Sequence, residues 1–247
     1  MKFCFVFGWC AFAGSIMASA PNGSFSTTRV YFESGGKKIR ADYYAPPTLP
    51  ASTHAPIVLL HGAGGILFDG PDIRRLARQL VENGHPVYVV HYFNRTGTLV
   101  GLEAAMHRDF DTWLGTVRDA IEWVAVREAK AGHGKIGVYG YSLGAYLALA
   151  ATSDNPRVGA LVEQSGGLWN SKESRVHHLP ATLLIHGELD QRVPFTKYAQ
   201  PLVGLLRRRG TVFETEFFPN ESHRFSKSGM SRVIKRSADF FHNRLSH

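Results

Sequence analysis

This chain is poor in cysteine. It has only two, Cys4 and Cys10, and both lie within the first twenty of its 247 residues. The rest of the sequence therefore has no disulfide framework, no thiolate nucleophile and no cysteine metal ligand. No histidine pair with a third ligand shows the spacing of a zinc site, so neither metal nor cofactor is expected. No period of 20–50 residues repeats, which argues against a solenoid. Acidic residues are outnumbered, giving a formal net charge of +8. The basic residues are scattered, however. The densest cluster, Arg207-Arg208-Arg209 before Gly210, reads as a helix C-terminus, where cations meet the negative end of the dipole. A nucleic-acid partner would need tighter clustering with interleaved aromatics.

The first twenty residues stand apart. Lys2 precedes an apolar run, Phe3 to Ala13, and then Ala18-Ser19-Ala20. A basic start, a short apolar stretch and an A-x-A end describe a secretory signal peptide. The expectation is a removable leader over 1–20, a single domain over 21–247 and a periplasmic or secreted location. The run is too short for stable membrane insertion. Pro21 directly after Ala20 hinders cleavage there, so the cut lies elsewhere or the leader is retained.

The remainder of the chain reads as alternating strands and helices. Arg29–Phe32 and Lys38–Tyr44 flank Ser34-Gly35-Gly36 as a hairpin. Continuous apolar runs at Ile57–Leu60 and Val87–Val90 suit strands buried on both faces. Further strands are expected at Lys135–Tyr139, Ala160–Gln164, Thr182–His186 and Thr211–Phe217. Helices are expected at Asp72–Asn83, Asp109–Ala131, Leu143–Ala151, Pro194–Arg209 and the C-terminal segment. In the second of these, Phe110, Trp113, Leu114, Val117, Ile121 and Val124 recur at helical spacing. The pattern predicts an α/β fold: a mostly parallel central sheet flanked by helices. No insertion is long enough for a large lid domain.

Candidate chemistry centres on Gly140-Tyr141-Ser142-Leu143-Gly144. Preceded by a strand and followed by a helix, G-x-S-x-G is the nucleophile elbow of α/β-hydrolases. An ordinary glycine-flanked βα turn is the bland alternative. A serine nucleophile needs a base and an acid that orients it, in the chain order Ser, Asp or Glu, His. Asp190, in the loop after Thr182–His186, is the expected acid, with Glu188 the competing carboxylate. His223, after the last strand, is the expected base. The backbone amides of Leu143 and Ala63 are the expected oxyanion donors, with Gly64 next after Ala63. The His61-Gly62-Ala63-Gly64-Gly65 loop lacks the lysine of a phosphate-binding loop. Ile66, Leu67, Phe68, Tyr141, Trp169 and Phe225 are candidate pocket walls, with packing core an equal reading.

Five segments together resemble the dienelactone hydrolase family. They are H-G-A-G-G at 61–65, H-Y-F-N-R-T-G-T at 91–98, G-Y-S-L-G at 140–144, H-G-E-L-D-Q-R-V-P at 186–194 and S-H-R-F at 222–225. The resemblance implies a lidless single-domain α/β-hydrolase fold with Ser142, Asp190 and His223 as triad. The family's namesake enzymes use a cysteine nucleophile, with a carboxylate before the oxyanion residue. Here Ser142 and Gly62 stand in those places, which points away from dienelactone and toward general ester chemistry. The resemblance also puts Arg95 and Lys227 where the namesakes hold a substrate carboxylate; both read equally well as solvated cations. The expected partner is a small ester substrate, and the oligomeric state is open. Two other readings stand beside the esterase: a peptidase of the prolyl-oligopeptidase type, and a non-catalytic binding protein on the same scaffold.

Overall fold

A computed structural model describes residues 25–46, 54–168 and 176–245. The expected leader and Trp169 fall outside the described residues. The chain begins with a hairpin, β1 (Ser26–Ser34) and β2 (Lys37–Ala45). Its turn is Gly35-Gly36, with φ of 48° and 72°, a backbone region that glycine enters without steric cost. The order then runs β3 (Ile57–Leu60), α1 (Gly65–Phe68), α2 (Gly70–Glu82), β4 (Val87–Val90), a 3-10 turn (Tyr92–Arg95) and α3 (Glu103–Ala129). It continues with β5 (Ile136–Tyr141), α4 (Leu143–Thr152), β6 (Val158–Gln164), β7 (Ala181–Gly187), α5 (Phe195–Arg208), β8 (Phe213–Phe218) and α6 (Lys227–Leu245).

The strands form one eight-stranded sheet in the order β1-β2-β4-β3-β5-β6-β7-β8. β1 with β2 and β2 with β4 are antiparallel; every pairing from β4 to β8 is parallel. Strand period divides the core in two. Val58 and Leu60 join the layer that holds Trp113, Val117, Leu147 and Leu202, while Ile57 and Leu59 join Leu76, Leu80, Val233 and Phe240. α3, α4 and α5 therefore cover one face, and α2 and α6 the other. This explains the unbroken apolar runs: neither face of the central strands meets water.

The six-residue stripe of α3 is buried, none of it more than 3% exposed. The helix nevertheless begins at Glu103, not at Asp109. Glu103–Arg108 is helix-favouring in composition but has no apolar stripe to mark it. Helix α1 was likewise unmarked, being a single turn.

Candidate active site

Neighbouring strand ends assemble the site. β3 and β5 are adjacent, with Leu60 opposite Gly140. The His61–Gly65 loop and the Gly140–Gly144 turn therefore leave the sheet side by side. Ser142 has φ 53° and ψ −119°, a strained conformation for a residue with a side chain that costs on the order of 1–3 kcal/mol. The Ser142 amide is fixed on the Gln164 carbonyl at 2.9 Å. A Cβ on Gly144 would fall 2.5 Å from the His61 carbonyl oxygen, and one on Gly140 would collide with the Gly144 carbonyl. Both glycines of the motif are thus steric requirements of the turn.

β7 and β8 supply the other groups. Asp190 follows Gly187 at the end of β7, and His223 follows Phe218, which pairs with Gly187. Asp190 Oδ2 lies 2.7 Å from His223 Nδ1. An ionised carboxylate only accepts, so Nδ1 carries the hydrogen and Nε2 is free to accept. Nε2 lies 3.0 Å from Ser142 Oγ. Asp190 Oδ1 accepts from the amides of Arg192 and Val193 at 2.9 and 2.8 Å. His186 Nε2 stands 3.4 Å from Asp190 Oδ2 and 2.9 Å from the Val193 carbonyl. Burial alone would raise the Asp190 pKa. Hydrogen bonds from His186, His223 and the Val193 amide outweigh it and hold the carboxyl well below the usual range.

Behind this chain sits Glu163, fully buried on β6. One oxygen accepts the Gly166 amide at 2.6 Å. Burial pushes its carboxyl up to about 7, against the pull of His186 and that amide. Since Glu163 pairs with Leu184 across the strands, Glu163 and His186 project from the same face of the sheet.

Ser142 opens onto a cleft of about 790 Å³. Ala63, Gly64, Phe68, Asp69, Tyr141, Leu143 and His223 border it near the serine; Val100, Leu102, Met106, Tyr146, Arg192, Tyr198 and Arg224 lie among its walls. Ala63 and Leu143 thus flank Ser142 at the cleft floor. Ala63 and Gly64 both border the cleft beside Ser142.

Other expected positions fall elsewhere. Arg95 does not line the cleft; its guanidinium packs against Gly35, in the hairpin turn. Lys227 is an exposed residue at the start of α6 and is not part of the cleft wall. The 3-10 turn and the register of α6 direct both side chains away. Phe225 packs edge-to-face on Phe218, with ring centroids 4.9 Å apart, and belongs to the core layer. The cations that do line the cleft are Arg192 and Arg224. Arg224 pairs with Asp69 at 2.9 Å. Asp69, Arg192, Arg224 and Glu163 were not expected from the sequence. Adjacency to His223 and Asp190 was the available signal for the two arginines, and a charged residue inside an apolar strand was the signal for Glu163.

The family model for the "Dienelactone hydrolase family" matches residues 39–244. The chain belongs to the dienelactone hydrolase family. Solved structures agree on the fold. A putative dienelactone hydrolase from Klebsiella pneumoniae superposes with a TM-score of 0.71 at 17% identity, covering 88% of this chain and 98% of that one. A dienelactone hydrolase from Anabaena variabilis gives 0.66 at 22% identity, covering 90% and 99%. A dienelactone hydrolase-like promiscuous phosphotriesterase from metagenomic libraries gives 0.74 at 14% identity, covering 90% and 99%. No curated protein matches the chain by sequence. Membership makes the chain a hydrolase on an α/β-hydrolase scaffold, with no large lid among the described residues.

Proposed function

We propose that the chain is a serine hydrolase that cleaves carboxylic esters of small substrates. The observation that carries this reading is the continuous chain from Asp190 through His223 to Ser142 Oγ, ending in an open cleft. Ser142 Oγ attacks the ester carbonyl carbon as His223 Nε2 takes its proton. Asp190 fixes the ring and offsets the imidazolium charge. The carbonyl oxygen becomes an oxyanion facing the Ala63 and Leu143 amides, each such donor being worth about 3–4 kcal/mol. The intermediate collapses as the ester C–O bond breaks, and His223 returns its proton to the departing alcohol. A water then attacks the acyl-Ser142 ester as His223 takes its proton; the acyl–Oγ bond breaks, His223 returns the proton to Ser142 Oγ, and the carboxylic acid is released. No cofactor enters these steps. The basic start, apolar run and A-S-A end of residues 1–20 support a periplasmic or secreted place of action.

The test is hydrolysis of p-nitrophenyl esters together with labelling by a fluorophosphonate probe. Both should be present in the native chain and lost in Ser142→Ala; turnover that survives the substitution overturns the proposal. Peptide amides assayed in parallel distinguish a peptidase from an esterase. The acylaminoacyl peptidase of Pyrococcus horikoshii shares the fold at TM-score 0.69, but this chain covers only 42% of it.

A further inference from the structure

Phe68 and Leu102 line the cleft, and Leu67 and Leu99 are chain neighbours of its lining residues Phe68 and Val100. Leu67, Phe68, Leu99 and Leu102 stand 64%, 56%, 76% and 71% exposed. Scattered exposed leucines need no explanation, but a cluster against a cleft does. These four come from two segments that are physically joined. The Gly101 amide donates to the Ala63 carbonyl at 2.7 Å, and Gly65 packs directly on the Leu99 carbonyl. The rim is therefore built onto the same loop that carries the Ala63 amide. From the rim the apolar surface continues inward through Val100, Leu102, Met106 and Leu143.

We propose that this surface binds the acyl chain of the substrate, and that the preferred substrates are esters of apolar, extended carboxylic acids. The inference rests on the esterase reading above. Its direction follows from proton transfer: His223 must protonate the departing alcohol, so the alcohol lies on the side of His223, Tyr141 and Arg224. The wall of Val100, Leu102 and Met106, tied to the oxyanion loop instead, takes the acyl side. Folding leaves these rim side chains in water. They are covered only when a chain of matching character lies across them, and that burial favours binding.

The experiment compares kcat/KM for p-nitrophenyl acetate, butyrate and octanoate, and, as a second series, acetate esters of short and long alcohols. The expected result is a rise of at least about tenfold from acetate to octanoate, with a smaller response to alcohol length. Leu102→Asp and Leu99→Ser should each lower the octanoate-to-acetate ratio, the first by at least about tenfold. Both residues are exposed, and aspartate is a favourable residue at position 102, which caps the start of α3, so folding is not at risk. A flat or falling acyl series overturns the proposal, as does an unchanged ratio in Leu102→Asp. A flat series accompanied by vesicle binding would assign the rim to a lipid surface and overturn it too. If no ester is hydrolysed, acetate included, the esterase reading itself falls.

Discussion

The carboxylate of Asp69 fills the space that a side chain at position 62 would occupy. A Cβ built on Gly62 lies 2.8 Å from Asp69 Oδ2 and 3.1 Å from the Cβ of Ser142. A Cβ on Gly64 lies 2.5 Å from Asp69 Oδ1. The His61–Gly65 loop is thus wrapped around this one buried carboxylate, and its glycines are the condition for the wrapping. Arg224, next to His223, holds the other side of Asp69 at 2.9 Å. One ion pair thereby links the loop of the Ala63 amide to the loop of His223. Burial raises the Asp69 pKa, and Arg224 opposes that rise.

Gly62→Ala should therefore harm activity more than stability. The added methyl must displace the Asp69 carboxylate or press on the Ser142 side chain and the Tyr141 ring, and the strain falls on the loop that carries the Ala63 amide. A displacement of about 1 Å near the reacting atoms costs on the order of 100-fold. Ester kinetics should show kcat falling by about that factor, with thermal unfolding lowered by only a few degrees. Native kcat in a folded Gly62→Ala would refute the packing argument.

The sequence made most of the fold legible because period and glycine placement are local signals. Continuous runs at 57–60 and 87–90 marked buried strands, and the stripe from Phe110 to Val124 marked one helix face. The elbow was legible for the same reason: Gly140 and Gly144 are required by one short turn. Asp69 was not legible, since its contact with Gly62 depends on the single turn of α1 folding back over the loop. The orientation of Arg95 was not legible either: likeness of position left two readings open, and the side chain packs against Gly35. Arg192, whose amide bonds Asp190 and whose side chain reaches the cleft, had only its neighbour to announce it.

Asp190→Asn should lower kcat by about 10⁴-fold. The cause is specific to this site. Asp190 Oδ2 faces two imidazole nitrogens, His223 Nδ1 at 2.7 Å and His186 Nε2 at 3.4 Å. An amide nitrogen in place of Oδ2 would confront N–H groups with N–H groups. In the reversed orientation it would confront the Arg192 and Val193 amides. No rotamer satisfies both sides, so His223 loses the tautomer that accepts the Ser142 proton. Single-turnover ester kinetics measure the loss; a decrease under about tenfold would show that Asp190 does not fix the ring.

Two buried histidines should make the protein sensitive to acid. His61 donates from Nδ1 to the Gly62 carbonyl at 2.8 Å and stacks on Tyr92 at 4.2 Å. Burial lowers its pKa to about 3, and lowers that of His85 to about 4. An unfolded histidine titrates near about 6.5, so below that pH the unfolded chain binds more protons than the folded one. Stability then falls as pH falls, from about 6.5 down toward these folded values. The two groups together cost about 5 kcal/mol by pH 4.5. Urea unfolding at pH 7, 5.5 and 4.5 should show a monotonic decline. His85→Gln should flatten part of it, and a pH-independent midpoint would contradict the burial of both rings.

Glu163 titrates in the opposite sense, which gives a prediction that the histidines do not obscure. Its folded pKa is about 7 against an ordinary 4.5, because burial disfavours the anion. Between those values the folded chain holds a proton that the unfolded chain has released. Stability from this group is fully present below about pH 4.5 and is lost as pH rises through 7, by about 3 kcal/mol. Glu163→Gln removes the ionisation. Its amide oxygen can still accept the Gly166 N–H, and its NH₂ can face His186, whose Nδ1 has no hydrogen-bond partner within the described residues. The variant should therefore gain on the wild type as pH is raised from 5 to 8, by about 2–3 kcal/mol of difference. Comparing the two chains at each pH cancels the histidine contribution common to both. A constant difference across that range would mean that Glu163 is already ionised in the folded protein, paired with a protonated His186 behind Asp190.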